Sequence, residues 1–343
     1  MTAFQHRLGR VLALIVLMAA VTAALWVLLP PSPEGPRFAL PVDCDMGRVC
    51  VVQNYVDMDP GPEARDQTCG PLTYDGHKGV DIRVPTYVEM RAGVAVLAAA
   101  PGTVKALRND MEDVSVREIG REALQGRDAG NGVVIDHGDG WESQYSHLRK
   151  GSVAVAVGQQ VEAGEKLGLI GLSGNTEFPH LHFSVRRDGK TLDPFSGLEV
   201  AGGCGKEANS LWRDDAAEQL AYRAGGLLVA GFAEQAPDKD ALLDGGHRET
   251  VLSPDASALV FWAVAWGLQG NDQETIQLIA PNGEVVAEST EAIPRNKAQW
   301  FRFIGRKRRG GPWPTGEYRG LYRVTRDGGE TKVIEIERSL VVR

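Results

Sequence analysis

Pro179-His180-Leu181-His182-Phe183 places two imidazoles at alternating positions with apolar residues between and after them. Successive side chains of an extended strand point to opposite faces, so His180 and His182 share one face while Leu181 and Phe183 turn into a core. The pattern recurs outward from this stretch. Val94 to Ala100, Gly132 to Asp136, Trp141 to His147, Leu167 to Leu172 and Leu181 to Val185 are short β-type runs broken by glycine. They predict a mainly β, mostly antiparallel domain over 44–205.

Two further segments belong with the first. In Gly76-His77-Lys78-Gly79-Val80-Asp81-Ile82 an imidazole and a carboxylate are four residues apart. Val80 and Ile82 favour extended backbone, in which that spacing turns both groups to the same side. In Tyr145-Ser146-His147-Leu148, alternation predicts Tyr145 and His147 on one face and Leu148 on the other. His77, Asp81 and one of His180 or His182 make two nitrogens and one oxygen, a normal donor set for catalytic zinc with water in the fourth position. Zinc lowers the pKa of that water and polarises a carbonyl. The remaining imidazoles, His147 among them, are then available as general base and oxyanion partner. A lone histidine on a strand is usually structural; the argument rests on three such segments in one domain.

The order His-x-Gly-x-Asp, then Gly130-Asn131-Gly132-Val133-Val134-Ile135-Asp136-His137-Gly138, then Tyr145-Ser146-His147-Leu148, then Pro179-His180-Leu181-His182-Phe183 resembles the LytM or lysostaphin-type zinc endopeptidases. The resemblance covers about 75–198. It implies a duplicated-hybrid-motif antiparallel β-sheet and one zinc ion held by His77, Asp81 and His182. It also implies catalytic roles for His147 and His180, without saying which is the base, and peptide cross-links of peptidoglycan stem peptides as substrate. All five positions are intact. The family also holds degenerate members that activate other cell-wall hydrolases, so an activator or scaffold with a hydrolase partner is the competing expectation, and an envelope protein protease a third.

The rest of the chain frames that domain. Val11 to Leu29 is apolar except for Thr22, with His6, Arg7 and Arg10 before it and Pro30 and Pro31 after it. A run of this length predicts a membrane span, with 1–10 cytoplasmic by its positive charge and everything after it on the periplasmic side. It exceeds the usual apolar core of a signal peptide, which favours an uncleaved anchor over a cleaved signal. Residues 30–43 read as a proline-rich linker.

Cys44, Cys50, Cys69 and Cys204 all follow the span, and an even count in an oxidising compartment predicts two disulfides, with three pairings open. Lys105 to Gly130 breaks the strand pattern and reads as an insertion that walls a groove. A helical connector is expected over 206–224, then a small β-sandwich accessory domain over 225–343, carrying only His247 among the histidines. Trp262 and Trp266 fall on one strand face and are expected in the sandwich core, and Trp313 over a sheet edge. His137, beside a Gly138-Asp139-Gly140 turn, and the Asp57-x-Asp59-x-Gly61 stretch read as structural. The net charge of −8 argues against nucleic acid as a partner. The local basic run Arg302 to Arg309 reads as a solvated loop.

Overall fold

The computed structural model describes residues 35–206 and 209–343. The expected cytoplasmic segment 1–10 and membrane span 11–29 lie outside the described residues. Among the described residues no helix is long and apolar enough to cross a membrane.

The first part of the chain supplies strands β1 (Val51–Asn54), β2 (Val80–Arg83), β3 (Ala95–Leu97), β4 (Gly102–Arg108), β5 (Asn131–Gly138), β6 (Trp141–Leu148), β7 (Gln160–Val161), β8 (Lys166–Leu169), β9 (His180–Arg187) and β10 (Lys190–Leu192). Antiparallel pairing in the order β1-β2-β9-β6-β5-β4-β7 builds the main sheet, with β10 against β9, while β3 and β8 pair separately. The mainly β, antiparallel expectation holds. Leu181, Phe183 and Val185 on β9 and Val133 and Ile135 on β5 are buried, the core-facing half of each alternation.

Lead-in and connector are more integrated than a linker reading allows. Phe38 and Val42, within the expected linker 30–43, are buried, and Phe38 stacks edge-on against Phe183 and Trp212. Two large apolar groups in a short proline-rich stretch are enough to pull it into the core. The helical connector expected over 206–224 is helical only at Asp214–Gln219, with Ala216 and Leu220 turned inward. Cys44 bonds Cys50 and Cys69 bonds Cys204; the second bridge ties the start of the domain to its end. Between β4 and β5 the expected insertion begins only after Arg108, since β4 continues through Lys105, and it carries a helical turn at Val116–Ile119.

The second part holds β11 (Gly226–Ala233), β12 (Val251–Leu252), β13 (Ala258–Leu268), β14 (Gln273–Ile279), β15 (Val285–Ala292), β16 (Lys297–Lys307), β17 (Gly316–Arg326) and β18 (Thr331–Val342). One sheet runs β11-β13-β16 and the other β12-β18-β17-β14-β15, a sandwich as expected. Strand β13 is buried at every one of its positions, which an outer strand with one solvated face cannot be. Its odd residues Leu259, Phe261, Ala263 and Ala265 pack inside the sandwich. Its even residues Val260, Trp262, Val264 and Trp266 join the other core, with Leu72, Val52 and Leu220. Trp262 and Trp266 therefore do not fill the sandwich interior; they cement it to the first domain. Polar contacts add to the seam: Arg91 Nη1 to Asp244 Oδ1 at 2.6 Å and Arg326 Nη1 to Ala224 O at 3.2 Å.

Candidate functional site

Four adjacent strands set the site. On β9, His182 pairs with Asp81 of β2 on one side and with Ser146 of β6 on the other, and His180 pairs with Arg83. Directly opposed residues of antiparallel strands share a face, so Asp81, His180, His182, Arg83 and Ser146 form one layer. Tyr145 opposes Phe183 and therefore lies on the core side, where its hydroxyl accepts from Ala99 N at 2.7 Å.

His147 would follow Tyr145 into the core if β6 alternated throughout, as the sequence suggests. It does not. The β5–β6 register shifts there, from Gly132 opposite Ser146 to Asn131 opposite Leu148, which leaves His147 as an extra residue with φ +63°. This bulge returns the imidazole to the His180 and His182 face. Its backbone N–H donates instead to Ala129 O at 3.0 Å, and Nδ1 donates to Ser173 O at 2.8 Å. The ring centroids of His147 and His180 are 4.7 Å apart.

His77 precedes β2 rather than lying on it, so strand alternation is not what aligns it with Asp81. A turn does so, with Nδ1 donating to Tyr55 O at 2.6 Å and Tyr74 against the ring at 4.4 Å. Nε2 then lies 3.1 Å from Asp81 Oδ1 and 3.2 Å from His182 Nδ1. Asp81 Oδ1 is also 2.9 Å from His182 Nδ1 and 3.4 Å from His180 Nε2. Its other oxygen accepts from Asn54 Nδ2 at 2.9 Å, which fixes the carboxylate plane. Gly79 makes this approach possible: a Cβ there would sit 2.5 Å from His182 Nε2.

Burial would raise the Asp81 pKa, but His77 and His180 outweigh it and hold the carboxyl well below its usual range. Burial pulls His77 down, and Asp81 by charge and hydrogen bond more than restores it. Burial, with His180 and His182 nearby, keeps His147 well below the ordinary imidazole value, and burial lowers His182 against the pull of Asp81. Neutral imidazoles offer lone pairs, the form that binds metal or accepts a proton.

Two overlapping groups can converge on one ion: His77, Asp81 and His182, and His147, His180 and His182. The first suits a divalent cation on chemical grounds. With its Nδ1 proton given to Tyr55, His77 in its neutral form would turn a lone pair towards a carboxylate oxygen and a second imidazole nitrogen. A single proton can bridge one of those contacts, whereas a cation satisfies all three, and two nitrogens with one oxygen are donors that zinc accepts. His180 Nδ1 donates to Phe178 O at 2.9 Å, leaving its Nε2 towards the site. The cluster opens on a cleft of about 330 Å³ lined by Asp81, His147, His180, Tyr74 and Phe178. A second hollow of about 430 Å³ flanks His77.

Several supports were not read from sequence. Asn54 and Gln53 end a buried Val51-Val52 strand, and two amides there are a usable signal. The Tyr55 and Ser173 carbonyls carry none. His137, set aside as structural, bonds Pro101 O and Ser143 Oγ away from the cluster, and Asp57 accepts from the Asp59, Arg65 and Gly76 amides as a turn residue. His247 offers its carbonyl to Trp262 Nε1, and Trp313 Nε1 donates to Ala256 O.

An antiparallel β-sheet here gathers a carboxylate and two ring nitrogens around one point, a donor set that could hold a metal ion, with two more imidazoles beside a cleft. Residues 75–194 match Peptidase family M23, in line with the LytM-type resemblance of the motifs. The chain is 38% identical over 107 residues to the murein hydrolase activator EnvC of Escherichia coli (strain K12), an alignment covering 31% of this chain and 23% of that protein. It is 31% identical over 117 residues to the peptidoglycan DD-endopeptidase ShyA of Vibrio cholerae, covering 34% of this chain and 22% of that one. Both alignments thus leave most of the relative's length unmatched. Among solved structures, the catalytic domain of the prophage-encoded M23 protein EnpA from Enterococcus faecalis aligns at 22% identity and TM-score 0.30, over 48% of this chain and 96% of that one.

Proposed function

We propose that this chain is a zinc-dependent endopeptidase that hydrolyses peptide cross-links of peptidoglycan, held on the periplasmic side by the apolar segment 11–29. The observation that carries the reading is the completeness of the site: His77, Asp81 and His182 as ligands, with His147 and His180 both retained beside them. Zinc, when bound, supplies a Lewis acid for the scissile carbonyl and a water of lowered pKa.

The chain's own residues do the rest. Asn54 and the Tyr55 carbonyl orient Asp81 and His77, and so position the donor set before substrate arrives. His147 and His180 each spend Nδ1 on a backbone carbonyl, so that Nε2 of each faces the cleft. One accepts the proton of the attacking water and returns it to the leaving amine; the other stands beside the position where the oxyanion develops.

The competing reading, an activator of another cell-wall hydrolase, draws on the likeness to EnvC, and the intact site weighs against it. Incubating zinc-loaded protein with purified sacculi and identifying new termini by mass spectrometry tests the proposal. Cleavage that disappears in His182→Ala is expected. Intact sacculi, together with stimulation of an added amidase, would establish the activator reading instead.

A further inference from the structure

Arg83 lies on β2 directly opposite His180 and is fully buried. Its Nη1 donates to Gln53 Oε1 at 2.6 Å, its Nε reaches Val84 O at 3.3 Å, and the guanidinium lies 4.4 Å over the Phe178 ring. Nη2 has no hydrogen-bond partner, and no carboxylate of the described residues is within ion-pair distance. A guanidinium keeps its charge, and an unpaired buried charge is strongly unfavourable. Arg83 lines neither space beside it, so its charge acts through the side chains it holds.

The two side chains that Arg83 grips, Gln53 and Phe178, line both the catalytic cleft and a neighbouring cavity of about 580 Å³. The opposite wall of that cavity comes from the C-terminal sandwich, at the start of β16. Ala298 lines both spaces, and Arg295 and Lys297 flank it. Asn296 Oδ1 accepts from Gly270 N at 3.0 Å and Lys297 lies 5.0 Å over the Trp300 ring, so the turn is held in place. Neither Arg295 nor Lys297 has a carboxylate partner among the described residues. The other cations of the cavity are engaged, Arg117 with Glu177 at 2.5 Å and Lys239 with Asp240 at 3.9 Å, which leaves Glu118 as the remaining acid of the wall.

We propose that Arg295 and Lys297, facing the Gln53 and Phe178 wall behind which the charge of Arg83 is buried, form an anion subsite beside the catalytic cleft that takes a free carboxylate of the peptide substrate, so that the C-terminal domain selects what the M23 domain cuts. The inference rests on the peptidase reading for its substrate class. It explains why the sandwich is fused to the first domain through a shared core: a wall that reads substrate must keep its place.

Anisotropy of a fluorescein-labelled peptide ending in D-alanyl-D-alanine, prepared as the free acid and as the carboxamide, tests the subsite on the zinc-loaded full chain. The acid is expected to bind about ten-fold tighter than the amide, a difference of about 1.4 kcal/mol. R295A/K297A, which removes the two cations at the start of β16, is expected to bring the two within about two-fold. R83M, which removes the buried charge, is expected to do the same. Equal affinities for wild type, no binding of the acid, or an unchanged preference in R295A/K297A would overturn the subsite. Sacculus cleavage is scored separately: a carboxylate preference without cleavage overturns the peptidase reading alone, and cleavage without preference overturns the subsite alone.

Discussion

At the scale of single residues, the site depends on groups that never touch substrate. Asn54 holds one Asp81 oxygen so that the other meets the ring nitrogens. Asn54→Ala is expected to weaken zinc binding by about 10- to 100-fold while leaving the fold intact, read by competition with a chromophoric chelator. Unchanged affinity would mean that the strand pairing alone orients the carboxylate. The donors themselves were legible in the sequence because His-x-Gly-x-Asp and His-x-His combine ligand types with meaningful spacing. Asn54 left only the weaker signal of an amide ending an apolar strand, and Arg83 left none, because a guanidinium acquires its role only from what the fold sets against it.

At the scale of elements, β6 shows where periodicity misleads. Strict alternation sends His147 to the Tyr145 side, and a one-residue bulge with φ +63° brings it back to the His180 and His182 face. A bulge leaves little mark in a sequence, since its signature is a backbone angle that several residue types tolerate. The angle gives a prediction about stability distinct from catalysis. His147→Asn and His147→Val should both abolish cleavage, but the valine protein should be less stable by about 1–2 kcal/mol in urea unfolding, because a β-branched residue resists the left-handed region that asparagine visits. Equal stabilities would argue that the bulge relaxes when histidine is lost. The position of His77 makes the same point: the sequence placed it on a strand, whereas a turn bonded to Tyr55 delivers it to Asp81.

At the scale of the whole molecule, the two β units share one core. A β-sandwich over 225–343 was legible in the sequence, but a run such as β13, buried on both faces, does not say what covers the second face. Trp262 and Trp266 answer that: both are turned to the first domain. Trp262→Ala should cost about 3–5 kcal/mol and lower zinc-dependent cleavage at temperatures where the separate sheets persist, because the wall carrying Ala298 loosens. Calorimetry that showed a normal first transition and loss of only the sandwich would contradict a shared core.

Anomalous diffraction at the zinc edge from crystals of the full chain grown with zinc tests the central assignment most directly, since two overlapping donor groups include His182. One peak within bonding distance of His77, Asp81 and His182, with His147 and His180 outside it, is the result expected. A peak among His147, His180 and His182, or no peak at the cluster, would contradict the account.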